Sequence, residues 1–414
     1  SNGITVILKH TDFKNDEILF SAISKGGKSL YGVNDLASLD FAANLIDRAG
    51  IADLDFNTLA KKMKGKQVGL MPSIDDISES FSGSSTPKDL EFFFQYLNAY
   101  FTNPRVDTAV YGLVMNEAQE QLNMLSANPQ YKFYGAFLNA VTNHDPYMIS
   151  PLSYTQDYLN QVNYDKSVKL FKERFANPAD FIFTFVGNFD EKTMENYLNL
   201  YLGSLKTNPA NKENFNAKVF KTMAAGVQKE KVLAGTEAQS WMGLYFSEPY
   251  EYNAKNNMIV RELGDALEIY LINIVREKMG DVYSPMMQME STKYPSAEFK
   301  TLIMLSCAPE NTDKLADACI KILKDFAAKG PDKETLQKVQ TQLISTRDKN
   351  IQTNKFWLSY INGKNLTGDD MNAVNEYNDL VKSITKKDII NFMKTYFKFD
   401  QYTRVDLYPE NLGK

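Results

Sequence analysis

The residues able to do chemistry are few, and their spacing excludes most familiar sites. There are two histidines, His10 and His144. A helix-borne zinc hydrolase needs two imidazoles on one helical face with a glutamate base between them. His10 ends a strand-like run, His144 lies in a loop-like stretch, and neither has a partner at helical spacing. Gly27-Lys28-Ser29 ends like a phosphate-binding loop, but that loop needs a glycine five positions earlier, where Ala22 stands. It reads instead as a Gly-Gly turn between a strand and a helix. No G-x-S-x-G elbow occurs, and Ser82-Gly83-Ser84 does not supply one. The sequence contains no self-sufficient catalytic set.

One constellation remains, Arg276-Glu277-Lys278-Met279-Gly280-Asp281-Val282-Tyr283-Ser284. It closes a long helix, turns on Gly280 and enters a strand. Two readings stand side by side. Glycine suits a left-handed helix cap, and a cation in the last turn suits the helix dipole. Alternatively, the Arg276 guanidinium and the Tyr283 phenol, on either side of a tight turn, converge on a carbonyl oxygen or peptide backbone. Such donors stabilise developing negative charge.

The elements that must position these groups are legible from apolar spacing. The 414 residues suit two domains, each large enough for its own core. A repeat divides them. The helical pattern Leu90, Phe93, Phe94, Leu97, Phe101 returns about 225 positions later as Leu315, Ala318, Cys319, Ile322, Phe326. A second block at 156–175 returns at 378–397, aligning Val162 with Ile384, Leu170 with Phe392 and Phe175 with Phe397. A strand follows each copy, Phe181, Phe183 and Phe185 alternating in the first and Val405 and Leu407 in the second. The polar stretch at 206–214 is the seam, so the expected modules are 1–212 and 213–414.

Strands are predicted near 4–9, 16–23, 66–73, 76–84, 180–187, 238–247, 281–290, 298–307 and 402–408. Helices are predicted near 88–103, 106–126, 131–142, 164–175, 255–278, 312–328, 333–353 and 385–396. Strands grouped apart from helices indicate an α+β class, each module an antiparallel-rich sheet with helices packed against it.

Composition narrows the partners. The net charge of −5 without a basic run argues against nucleic acid. No apolar run is long enough to span a membrane. Cys307 and Cys319 lack ligand spacing and read as two buried thiols. The sequon Asn365-Leu366-Thr367 reads as an unmodified loop. The first residues enter a strand without a charged leader, which leaves open a cytosolic chain or one trimmed from a longer precursor.

The run at 276–284 resembles the Arg…Gly…Tyr-Ser signature in the second half of the pitrilysin/insulinase zinc metallopeptidases. Asn2-Gly3-Ile4-Thr5-Val6-Ile7-Leu8-Lys9 is similar to the strand that opens a family half. Val186-Gly187-Asn188-Phe189-Asp190 with Leu202-Gly203-Ser204-Leu205 is similar to its domain-closing segment. The likeness covers essentially the whole chain. It implies a clamshell half: one half carries an H-x-x-E-H zinc helix, the other is related but metal-free, and peptide lies between them. Here no H-x-x-E-H occurs. By the resemblance, Asp40 and Asn44 stand where the histidines would be, Ala43 replaces the base, and Glu117 falls near the third ligand. The implied reading is a C-terminal half that binds no metal itself. Zinc is expected on a missing N-terminal half, on the same polypeptide or a separate subunit. Arg276 and Tyr283 would orient a peptide substrate across the chamber, and the chain would be inactive alone. The resemblance to long bacterial proteases implies a periplasmic or envelope location. The alternative is a degenerate structural or interaction subunit with no role in proteolysis.

Overall fold

The structure, a computed structural model, describes residues 2–279 and 283–412; the side chains of 275–279 and 283–284 lie outside that description. In chain order, β1 (Thr5–His10) and β2 (Ile18–Lys25) precede α1 (Leu36–Ala49) and α2 (Phe56–Met63). Strands β3 (Gly69–Ile74) and β4 (Ser78–Ser85) lead into α3 (Leu90–Thr102), α4 (Ala109–Ala127) and α5 (Pro129–Val141). Then come α6 (Gln156–Leu159), α7 (Tyr164–Arg174), β5 (Ile182–Gly187) and α8 (Glu191–Tyr197). The series restarts with β6 (Val227–Leu233), β7 (Ser240–Pro249), α9 (Ala254–Met279), β8 (Tyr283–Thr292) and β9 (Glu298–Cys307). It ends with α10 (Thr312–Lys329), α11 (Lys333–Asn350), α12 (Asn354–Thr367), α13 (Tyr377–Ser383), α14 (Lys386–Tyr396) and β10 (Tyr402–Tyr408).

The two sheets have one topology. The first runs β1-β5-β2-β4-β3 and the second β6-β10-β7-β9-β8. In each, the first and last strands pair in parallel and the other pairings are antiparallel. This is the antiparallel-rich α+β architecture expected from the sequence, and the duplicated blocks occupy equivalent elements.

Two compact units result, each built from separated segments. One comprises residues 1–120, 155–219 and 348–371; the other comprises 121–154, 220–347 and 372–414. The first unit has an aromatic core. Phe20 packs 4.9 Å from Phe93 and 4.8 Å from Phe185, and Phe81 lies 4.8 Å from Phe175. Such ring pairs contribute about 0.5–1.5 kcal/mol each beyond their area. In the second unit Phe246, Phe299, Leu263, Leu267 and Leu323 belong to one buried cluster. Cys307 and Cys319 are free and buried, and burial pushes both thiols up to about 12. Neither is a reactive thiolate at neutral pH.

Both sheets are covered on a second face. Helix α12 packs on β2 and β5 in the first unit, and α5 packs on β10, β6 and β7 in the second. That cover explains why β5 is buried on both faces rather than alternately. Asn354 at the start of α12 donates to Glu17 at 2.9 Å, and Lys9 sits 4.2 Å over the Trp357 ring. On the other sheet, a Cβ at Gly243 would come within 2.5 Å of the Phe137 ring. Glycine there lets α5 approach the strand closely.

Several details differ from the sequence reading, among them α1 and α2, which were not in the predicted set. The helix expected over 333–353 stops at Asn350, and Thr353, accepting from the Phe356 N–H, caps the separate α12. The sequon therefore lies in the last turn of a packed helix, not in a loop. Strand β6 was absent from the expected set; it is an edge strand with every second residue exposed.

Candidate substrate-facing site

Helix α9 and strand β8 position the Arg276–Tyr283 constellation. Met258, Ile259, Leu263, Ala266, Leu267 and Leu271 recur at helical spacing and bury one face of α9. At about 1.5 Å per residue the helix runs roughly 39 Å, along β8. The approach is close: a Cβ at Gly264 would lie 2.9 Å from the Met289 Cβ. Gly264→Ala is therefore expected to destabilise the chain by about 1–2 kcal/mol, despite the ~1 kcal/mol alanine adds to a helix interior. A urea unfolding midpoint measures it, and an unchanged midpoint would show that the helix can move off the strand freely.

Arg276 lies in the last turn of α9, and Tyr283 is the first residue of β8, an edge strand. Tyr283 pairs with Ser306, and the next pair is Met286 with Met304, so β8 carries one extra residue at this point. Bulges of this kind re-aim side chains and recur beside functional sites. The side chains of Arg276 and Tyr283, and the whole of Gly280, lie outside the described residues.

Glu262, on the same helix, is fully buried. Its Oε2 accepts from Gln340 Nε2 at 3.0 Å, while Oε1 has no partner. Burial, with a smaller push from Asp265, raises its carboxyl to about 8. The folded chain then keeps a proton that the unfolded chain loses above about 4.5. This contribution to stability is complete below that value and is lost as pH rises towards 8. Glu262→Gln is expected to flatten the decline and to raise stability at pH 8 by about 2 kcal/mol. Thermal melts from pH 5 to 8 test this, and parallel wild-type and variant profiles would refute it.

The positions that the resemblance aligned with a zinc helix fall on α1. Asp40, nearly buried, pairs with the Lys28 ammonium at 3.0 Å, and Lys28 also meets Asp76 at 2.7 Å. Burial works against that ammonium, but the two carboxylates outweigh it and carry Lys28 above the ordinary lysine value. Ala43 is buried and Asn44 exposed. Glu117, half exposed on α4, pairs with Arg48 of α1 at 2.6 Å. Both carboxylates are thus already matched to cations, and this donor set does not fit zinc. Among the described residues no three His, Cys, Asp or Glu side chains cluster as metal ligands. His144 bonds Glu230 at 2.8 Å, and His10 meets the Phe189 ring edge-on. The Lys28 set was not legible beforehand, because its members are scattered along the chain.

Residues 164–343 match the family profile described as the peptidase M16 inactive domain. Over that stretch the chain is similar to the M16 peptidases. The zinc protease PQQL-like protein of Arabidopsis thaliana is 24% identical over 378 residues, which cover 87% of this chain and 36% of that protein. Among solved structures, the periplasmic protease PqqL from Escherichia coli superposes with a TM-score of 0.84 at 20% identity, over 99% of this chain and 45% of that one. A peptidase M16 inactive domain from Pseudomonas fluorescens gives 0.80 at 14% identity, over 99% and 96%. These likenesses fit the clamshell-half architecture. The chain spans only 35% to 42% of the length of the curated relatives it matches.

Proposed function

We propose that this chain is the metal-free half of a zinc endopeptidase. It forms one wall of a peptide chamber and presents Arg276 and Tyr283 to the substrate. The observation that carries this reading is the match to an M16 inactive domain in a chain without the H-x-x-E-H motif. The zinc is held by the other half, on the same polypeptide or a separate subunit. Guanidinium and phenol donate hydrogen bonds to the substrate carbonyl, an interaction that strengthens as negative charge develops there. Extended peptide is held by main-chain pairing to an exposed sheet edge. The periplasmic location of the PqqL structure supports an envelope setting for this chain as well.

The test is cleavage of a quenched fluorescent peptide library by this chain alone and mixed with a zinc-bearing M16 half encoded beside it. The expected result is silence alone and turnover on mixing. Turnover by the chain alone would overturn the assignment. Binding of the two halves without turnover would instead support an interaction subunit with no role in proteolysis.

A further inference from the structure

The outer face of the first sheet holds a cavity that the proposed peptidase role does not use. Its volume is about 170 Å³. That is below the ~300–1,000 Å³ of sites for drug-sized ligands. Ile23 and Ile182, a directly opposed pair across β2 and β5, contribute to its wall. Leu366, in the last turn of α12, adds a third aliphatic side chain. Its polar wall includes Asp180, ending the 3-10 turn Pro178–Asp180, Asn365, Lys25 and the exposed Lys212.

Two of these side chains are incomplete. Asp180 Oδ1 and Asn365 Nδ2 are shielded from solvent and have no hydrogen-bond partner. Buried polar atoms are satisfied in the great majority of cases, so a pair of orphans on one cavity calls for an explanation. One is an acceptor on a carboxylate, the other an amide donor. The neighbouring Glu213 is already held by Arg174 at 2.7 Å, and the cations on the cavity are Lys25 and Lys212, the latter close enough to act on the Asp180 carboxylate.

We infer that this cavity is a binding site for a small zwitterion with an aliphatic side chain, a free α-amino acid of about leucine size. Its ammonium donates to Asp180 Oδ1. Its carboxylate accepts from Asn365 Nδ2 and faces Lys212. Its side chain lies on Ile23, Ile182 and Leu366. The ligand supplies both missing partners, and the site's mixed signs select against molecules carrying only one charge. A ligand that binds only the folded chain stabilises it, so the loaded chain melts higher.

Calorimetric titration of the full chain with L-leucine tests the assignment, with 4-methylpentanoate lacking the amine, 3-methylbutylamine lacking the carboxylate, and glycine lacking the side chain. Leucine is expected to bind and to raise the melting temperature. Each truncated probe is expected to bind at least about tenfold more weakly, the loss of one charge-assisted hydrogen bond or of the apolar contact. Asp180→Asn should remove the preference for leucine over 4-methylpentanoate. No heat and no melting shift with leucine at 20-fold the concentration of a typical millimolar ligand, about 20 mM, would overturn the proposal. So would equal binding of leucine and 4-methylpentanoate to the wild-type chain, a comparison that needs no folded variant. Neither result bears on turnover by the assembled peptidase.

Discussion

Replacing Lys28 by alanine is expected to destabilise the chain by about 3–5 kcal/mol, the usual cost of breaking a buried ion pair from one side. The ammonium is 7% exposed and meets carboxylates at 3.0 Å and 2.7 Å, one of them, Asp40, only 6% exposed. Removing it leaves that carboxylate buried and without its cation. The urea midpoint should fall accordingly. The triple variant Lys28→Met, Asp40→Asn, Asp76→Asn should recover most of the loss, because neutral replacements no longer leave a buried charge unmatched. A Lys28→Ala midpoint within about 1 kcal/mol of wild type would mean that water reaches Asp40 and that the pair is an ordinary surface contact. The result also bears on function. Where the resemblance would align a metal-binding helix, this chain matches the Asp40 carboxylate to its own lysine.

The second large effect is expected on turnover. On the proposed function, Arg276→Ala or Tyr283→Phe in the assembled peptidase should lower kcat by about 10²–10³, the range for removing one preorganised donor to a developing oxyanion. Both kcat and kcat/KM should fall together, since the contact strengthens in the transition state. A rise in KM alone would assign the residue to uniform substrate binding. Turnover equal to wild type in both variants would remove the donors from the mechanism and return them to the helix-capping reading, with the chain as an architectural subunit.

How far these features were legible depends on how local they are. The repeat of Leu90–Phe94 in Leu315–Cys319 depends only on helical spacing, and all four named ends are buried in α3 and α10. The alternation of Phe181, Phe183 and Phe185 located β5. The intervening Thr184 and Val186 are also buried, because α12 covers that face. No spacing within β5 shows a helix supplied from some 170 residues later in the chain. Strand β6 escaped because its Val-Gln-Lys-Glu-Lys-Val-Leu run carries edge lysines rather than a strong apolar alternation. Arg276 and Tyr283 were singled out by the spacing around Gly280 and given a substrate role by the resemblance; their side chains lie outside the described residues. The Lys28–Asp40–Asp76 set is assembled only by tertiary folding and has no sequence signature.

The parallel pairing of first and last strands has a consequence for how the chain is made. Strand β5 lies between β1 and β2, and β10 between β6 and β7. Each sheet therefore has a gap in its interior until its final strand has been synthesised. The second sheet stays open until Tyr402–Tyr408 clears the ribosome. The first unit also awaits α12, so finishing its own strands does not finish it. During elongation β1 and β2, and later β6 and β7, wait with unpaired edges, the condition in which chains aggregate or recruit chaperones. A ribosome stall or premature stop anywhere before residue 402 leaves a partial sheet without its inner strand. Pulse-labelled nascent chains should gain the second unit's protease resistance only once β10 has emerged.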